Sequence, residues 1–98
     1  MRIDLEADKT SYVEGETARI LIKSPVQGRA LITVERRSVL RHFFVDLTSN
    51  AQILELPIEA AMAPNGFVSA FIVRGADASP RQHKAPDYKV GFTELRVA

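Results

Sequence analysis

Hydrophobic and polar residues alternate with a period of two along most of this chain. Ile3 and Leu5 alternate with Asp4 and Glu6; Ala18, Ile20 and Ile22 with Thr17, Arg19 and Leu21; Ala30, Ile32 and Val34 with Arg29, Leu31, Thr33 and Glu35. Side chains on a strand point to opposite faces in turn, so these runs predict strands with one face toward a core. Further strands are expected at Val39–Val45, Gln52–Ile58, Phe67–Arg74 and Tyr88–Val97. About seven strands, with turns roughly every dozen residues, is the pattern of an all-β, antiparallel seven-stranded sandwich of immunoglobulin or fibronectin-III type. Alternation selects Ile20, Ile22, Ile32, Val34, Leu54, Leu56, Phe71 and Val97 for its core.

The breaks between these runs carry turn chemistry. Glu14-Gly15-Glu16 separates the first two strands, and Gly15 can take a positive φ without a Cβ clash. Ser24-Pro25-Val26-Gln27-Gly28, Arg36-Arg37-Ser38 and Leu47-Thr48-Ser49-Asn50 are polar links, and Pro64-Asn65-Gly66 is the strongest single turn signal. Glu59–Ala63 has helix-forming composition, but Pro64 limits it to about one turn. In the last strand Tyr88, Val90 and Phe92 share one phase while Leu95 and Val97 share the other, which predicts a bulge at Gly91 or Thr93-Glu94.

Composition narrows the functional classes. The 98 residues make one domain, and no second core would fit. Thirteen Lys and Arg oppose twelve Asp and Glu, leaving a net charge of +1 and no strong field to gather phosphates, so no nucleic-acid partner is expected. With no cysteine, this chain can form no disulfide, thiolate metal site, cysteine nucleophile or cysteine-derived thioester. No apolar run approaches the roughly 20 residues of a membrane span, so no direct membrane contact by this domain is expected. Met1-Arg2 leads straight into Ile3-Asp4-Leu5, which reads as a strand rather than a leader.

No enzymatic constellation emerges. His42 and His83 have no second ligand at metal spacing and read as surface histidines. No serine sits in G-x-S-x-G, and the isolated glycines form no phosphate cradle. Glu14 and Glu16 flank a turn, where a solvated hairpin tip is the simpler reading than acid–base work. Arg36, Arg37, Arg41 and His42 form a basic cluster interrupted by Glu35 and Asp46, which suits a charged hairpin tip that blunts edge pairing. No enzyme activity, metal or cofactor is therefore expected.

Two stretches stand out. Val39–Val45 is apolar on both phases, with Val39, Phe43 and Val45 on one and Leu40 and Phe44 on the other. Either Leu40 and Phe44 face a neighbouring domain, or a change of register places both phenylalanines in the core. Gly75–Asp87 is long for a sandwich connection and carries two prolines with Arg81 and Lys84. It is expected to be an exposed crossover that trypsin-like enzymes cut after Arg81 or Lys84.

These residues also carry a family likeness. Asp8-Lys9, followed by Tyr12-Val13-Glu14-Gly15-Glu16-Thr17-Ala18, resembles the D-K-x-x-Y-x-x-G-E-x-A opening of domains in bacterial α2-macroglobulin-like proteins. Ser24-Pro25, Gly28, Ala30–Glu35 and Val39-Leu40 resemble its continuation. Leu56-Pro57-Ile58, Ala63–Ser69 and Val73-Arg74-Gly75 are similar to the later P-I, P-N-x-x-V-S and V-R-G pieces, and Gly91–Val97 to the closing strand. The likeness spans nearly the whole chain, and the order and spacing of its pieces make it specific.

The resemblance implies a macroglobulin-like sandwich module of a much larger, broad-spectrum protease trap, most like the module just before the bait-bearing one. It implies neighbouring modules of the same chain as partners and target proteases engaged through the full-length protein. It places the parent in the periplasm or outside the cell, membrane-anchored as a lipoprotein in some forms. The family's thioester motif C-G-E-Q does not occur in these residues, which leaves a scaffold role. The competing class is an immunoglobulin-like binding module of an adhesin, receptor or carbohydrate-active enzyme, which would cluster aromatic or polar groups on loops at one end.

Overall fold

A computed structural model describes residues 3–74 and 87–98, without the side chains of residues 73, 74 and 87–89. The strands are β1 (Asp4–Ala7), β2 (Ser11–Tyr12), β3 (Thr17–Lys23), β4 (Gly28–Glu35), β5 (Val39–Leu47), β6 (Ala51–Pro57), β7 (Asn65–Arg74) and β8 (Asp87–Val97). A 3₁₀ turn, Ala60–Met62, is the helical turn expected before Pro64. The strands form a three-stranded sheet in the order β1-β3-β6 and a five-stranded sheet in the order β2-β8-β7-β4-β5. The expected sandwich is present. The described residues carry eight strands, one more than expected, because Ser11–Tyr12 lies outside the expected runs: β1 pairs antiparallel with β3, and the two-residue β2 crosses over to pair parallel with the end of β8.

The core lies between the sheets, as period-two alternation requires. Ala18, Ile20 and Ile22 of β3 and Leu54 and Leu56 of β6 face Ala30, Ile32 and Val34 of β4, Val68, Ala70 and Ile72 of β7, and Leu95 and Val97 of β8. Seven of the eight core residues expected from alternation are buried. Phe71 is the exception. It lies half-buried on the outer face, and its neighbour Ile72 fills the core. The run Phe67–Arg74 is apolar on both phases, so bulk alone favoured the wrong one. The ladder fixes the phase, because Ala30, Ile32 and Val34 pair with Ile72, Ala70 and Val68 and all six point inward.

The expected bulge in the last strand is absent. β8 pairs with β7 without interruption from Asn65↔Arg96 to Arg74↔Asp87. Gly91, Leu95 and Val97 face inward together, and Val90 and Phe92 face out. The conflict of phases is resolved by leaving an aromatic in solvent rather than by bending the strand. Pro64-Asn65-Gly66 also departs from expectation. The Ala63-Pro64 bond is cis, Asn65 and Gly66 already belong to β7, and Gly66 is buried against Met62. Positive φ occurs at Gly15 and Gly28, where turns enter β3 and β4. Arg36-Arg37-Ser38 is the expected tight link, with the Arg36 N–H donating to the Ser38 carbonyl at 3.1 Å.

Candidate interaction surface

The resemblance motif near the start is a structural staple. The Tyr12 side chain is buried, and its hydroxyl donates to Asp8 Oδ1 at 2.7 Å while accepting from the Lys9 N–H at 3.1 Å. The same Asp8 oxygen accepts from the Arg19 N–H at 2.9 Å, tying the crossover between sheets to β3. These two donors hold the Asp8 carboxyl below its usual pKa, and burial together with the Asp8 hydrogen bond raises that of Tyr12. Glu16 accepts from Lys9 Nζ and from the Val13 N–H, each at 2.8 Å, which lowers its pKa and raises that of Lys9. Glu16 therefore closes the turn at Gly15 and has no free role as an acid–base partner of Glu14.

The chemistry-bearing residues stay apart. Among the described residues, no three of His, Asp and Glu come together as a metal site. His42 is exposed on the outer face of β5. Arg36 and Arg37 are exposed at the hairpin tip, whereas Arg41 turns away to Glu59 at 3.3 Å and lies over the Phe43 ring at 5.6 Å. His83, Arg81 and Lys84 lie outside the described residues.

The residues that the fold does bring together are apolar, and they lie on the outside. Four strands of the larger sheet place Val90, Phe71, Leu31 and Phe44 in one cross-strand row, through the pairs Phe71↔Val90, Leu31↔Phe71 and Leu31↔Phe44. Strand spacing makes this row about 14 Å wide. The adjacent row holds Phe92, Ser69, Thr33 and His42, with the Thr33 and Ser69 hydroxyls hydrogen-bonded to each other. Phe92 is 71% exposed and Phe44 62% exposed. Arg29 lies over the Phe44 ring at 5.8 Å and pairs with Asp46 at 3.3 Å, and Arg29, Leu31, Phe44 and Phe71 line a shallow hollow.

Leu40 and Phe44, expected on one face, are separated. The β4–β5 register shifts between Val34 and Glu35, so that Glu35 pairs with Val39 and Val34 with Arg41. Leu40 is the extra residue at this bulge, and it turns inward to pack against the core beside Phe43 and Val45. Phe44 remains outside, where its row adds Phe71 and Val90, with Phe92 in the next. Sequence reasoning missed these three. The available signal is the double-sided greasiness of Phe67–Arg74 and Tyr88–Val97, where alternation alone points to a core Phe71 and to a bulge.

A two-sheet module with an apolar outer face and a stapled entry is the class of protein that this geometry defines. Residues 3–98 match the family model described as alpha-2-macroglobulin bait region domain, and the chain belongs to that family. It is 30% identical over 103 residues to a Yersinia pestis protein named alpha-2-macroglobulin homolog, covering 98% of this chain and 5% of that protein. It is 33% identical over 79 residues to the alpha-2-macroglobulin of Xylella fastidiosa strain Temecula1, covering 80% of this chain and 5% of that protein. A Burkholderia lata protein named N-acetyl-gamma-glutamyl-phosphate reductase is 33% identical over 94 residues, covering 88% of this chain and 30% of that protein. The chain thus spans a small fraction of the length of the macroglobulin relatives it matches.

Proposed function

We propose that this chain is a non-catalytic scaffold module of a bacterial alpha-2-macroglobulin-like protease trap, set at or just ahead of the bait segment and working outside the cytoplasm. The family match across residues 3–98 carries the reading. The staple at Asp8, Tyr12, Arg19 and Glu16 supports it, because the residues that give the sequence its likeness hold the module's shape rather than perform chemistry. A trap that changes shape needs rigid modules joined by interfaces that can exchange. Among the described residues the exposed aromatics, Phe44, Phe67 and Phe92, sit on a sheet face and not on loops at one end, which speaks against the alternative of a loop-based binding module. Reductase activity is not carried over, since the chain has no glycine-rich dinucleotide loop.

The test compares the parent protein with the 98-residue chain. The parent is expected to inhibit trypsin-like and chymotrypsin-like proteases, and the 98-residue chain neither to inhibit them nor to hydrolyse peptides. Stoichiometric inhibition by the 98-residue chain, or no inhibition by the parent, would overturn the proposal.

A further inference from the structure

The two outer faces of the sandwich differ in chemistry. On the three-stranded sheet the outward positions are laced with ion pairs, Lys23 with Glu6 at 3.3 Å and Arg19 with Glu55 at 3.7 Å. Such a face is content in water. On the five-stranded sheet, the row Val90-Phe71-Leu31-Phe44 crosses four strands without a charge, and Phe92 stands beside it. Among the described residues, three pairs of polar groups on this face are matched to one another, while His42 and Arg96 are exposed at its margins. Thr33 bonds Ser69, Arg29 bonds Asp46, and Asn65 bonds Glu94 at 2.5 Å. Covering the apolar row and the Thr33–Ser69 pair, with the charged groups left at the rim, would therefore strand few polar groups.

We propose that the outer face of the five-stranded sheet is the docking surface for a neighbouring domain of the same, longer polypeptide, with Phe44 and Phe92 as its two anchors. The proposal rests on the reading of this chain as one module of a macroglobulin-like protein. Two observations select this occupant. The macroglobulin relatives are so long that the chain covers 5% of each, so most of their polypeptide is available to cover the face. The exposed apolar area, on the order of 400 Å², is about half of what each partner contributes to a standard free-standing interface. A patch of that size holds a tethered neighbour, whose effective concentration is in the millimolar range, better than it holds a separate second copy. The rim carries both signs, with Arg29 and Asp46 at one side and Glu94 and Arg96 at the other. That is the mixed polar rim of a protein interface, whereas an anionic membrane selects an excess of Lys and Arg.

Hydroxyl-radical footprinting of the parent protein and of the 98-residue chain tests this directly. Phe44 and Phe92 should be modified about tenfold more slowly in the parent, as expected for side chains sealed from water at an interface centre. Ile53, exposed on the other sheet, should react alike in both. Phe44→Glu should leave the unfolding midpoint of the 98-residue chain unchanged and, in the parent, raise the Phe92 rate toward that of the 98-residue chain. Equal rates for Phe44 and Phe92 in the two proteins would overturn the proposal. So would protection in the 98-residue chain that grows with its own concentration, which would make the occupant a second copy. Protection of that chain by vesicles of phosphatidylcholine and phosphatidylserine would overturn it in favour of a lipid surface. A parent that inhibits proteases yet leaves Phe44 reactive refutes the docking alone; one that protects Phe44 yet inhibits nothing refutes the trap reading alone.

Discussion

Gly91→Ala is the perturbation that most directly tests how the two sheets close on each other. Gly91 sits in β8 with its inward side against the residue that leads into β1. A methyl carbon at this position would stand 2.8 Å from the Ile3 carbonyl carbon and 3.0 Å from Ile3 Cβ. Ordinary carbon–carbon contact needs about 3.5–4.0 Å, so one chain must move by roughly half an ångström or more. The obstacle is backbone, which no rotamer change relieves. Overpacking of this kind costs about 1–3 kcal/mol. Alanine at an unobstructed strand glycine would instead stabilise, by about 0.4–1 kcal/mol through the unfolded state, so even the sign is diagnostic. In urea the expected loss lowers the midpoint by about 1 M, and each kcal/mol lowers the melting temperature by about 4–8 °C for a domain of this size. The clash can be separated from any effect on β8 alone by repeating the substitution in a chain that begins at Asp4. Removing Ile3 destabilises by itself, because its side chain is buried, but in that background Gly91→Ala should be neutral to stabilising by about 0.4–1 kcal/mol. A variant as stable as the parent sequence in the intact chain, or an equal penalty in both backgrounds, would show that the close approach of Ile3 to Gly91 does not exist in solution.

Ile72→Ala should cost about 2–5 kcal/mol in denaturant unfolding and more than Phe71→Ala, and the reverse order would mean that the phase of β7 is wrong. Ile32→Ala, at the centre of β4, should fall in the same 2–5 kcal/mol range, and an unchanged midpoint would refute its burial. Asp8 and Glu16 have carboxyl pKa values below the ordinary 3.8 and 4.5, so their contribution to stability is complete above those values and is lost as pH falls through the depressed ones. Lys9 and Tyr12 are raised above 10.5 and 10.0, so theirs is complete below those values and is lost as pH rises through the raised ones. Unfolding midpoints followed across pH should show an acid limb that Asp8→Asn flattens, and an unaltered limb would separate the Asp8–Tyr12 bond from folding stability.

Much of the fold could be read from the order of residues alone. A strict period of two, as in Thr17–Lys23 and Gly28–Glu35, makes a strand and names its buried side at once, because only one phase is apolar enough to leave water. Turn residues marked most of the strand ends, and Gly15 needed its positive φ wherever the module packed. The opening motif was readable as a likeness; its meaning came from geometry, with Asp8 and Tyr12 bonded to each other and Asp8 to the backbone of Arg19.

Where both phases are apolar, alternation loses its power, and the interaction surface sits in those places. Phe67–Arg74, Tyr88–Val97 and Val39–Val45 each present two greasy sides, and local sequence contains no term that prefers one. The choice is made by neighbours across the ladder, because one residue of register moves every side chain to the opposite face. β7 takes its phase from β4, β8 takes its phase from β7, and the extra residue at Leu40 turns that side chain inward while Phe44 stays out. The need for glycine at 91 was hidden for a related reason: its cause is Ile3, 88 positions earlier in the chain, brought alongside when the sheets close. Sequence by itself determined most of the strands and turns and the phase of every strand with one apolar side. Only the tertiary structure decided which apolar residues are core and which are surface, because burial belongs to a pair of sheets and not to a strand.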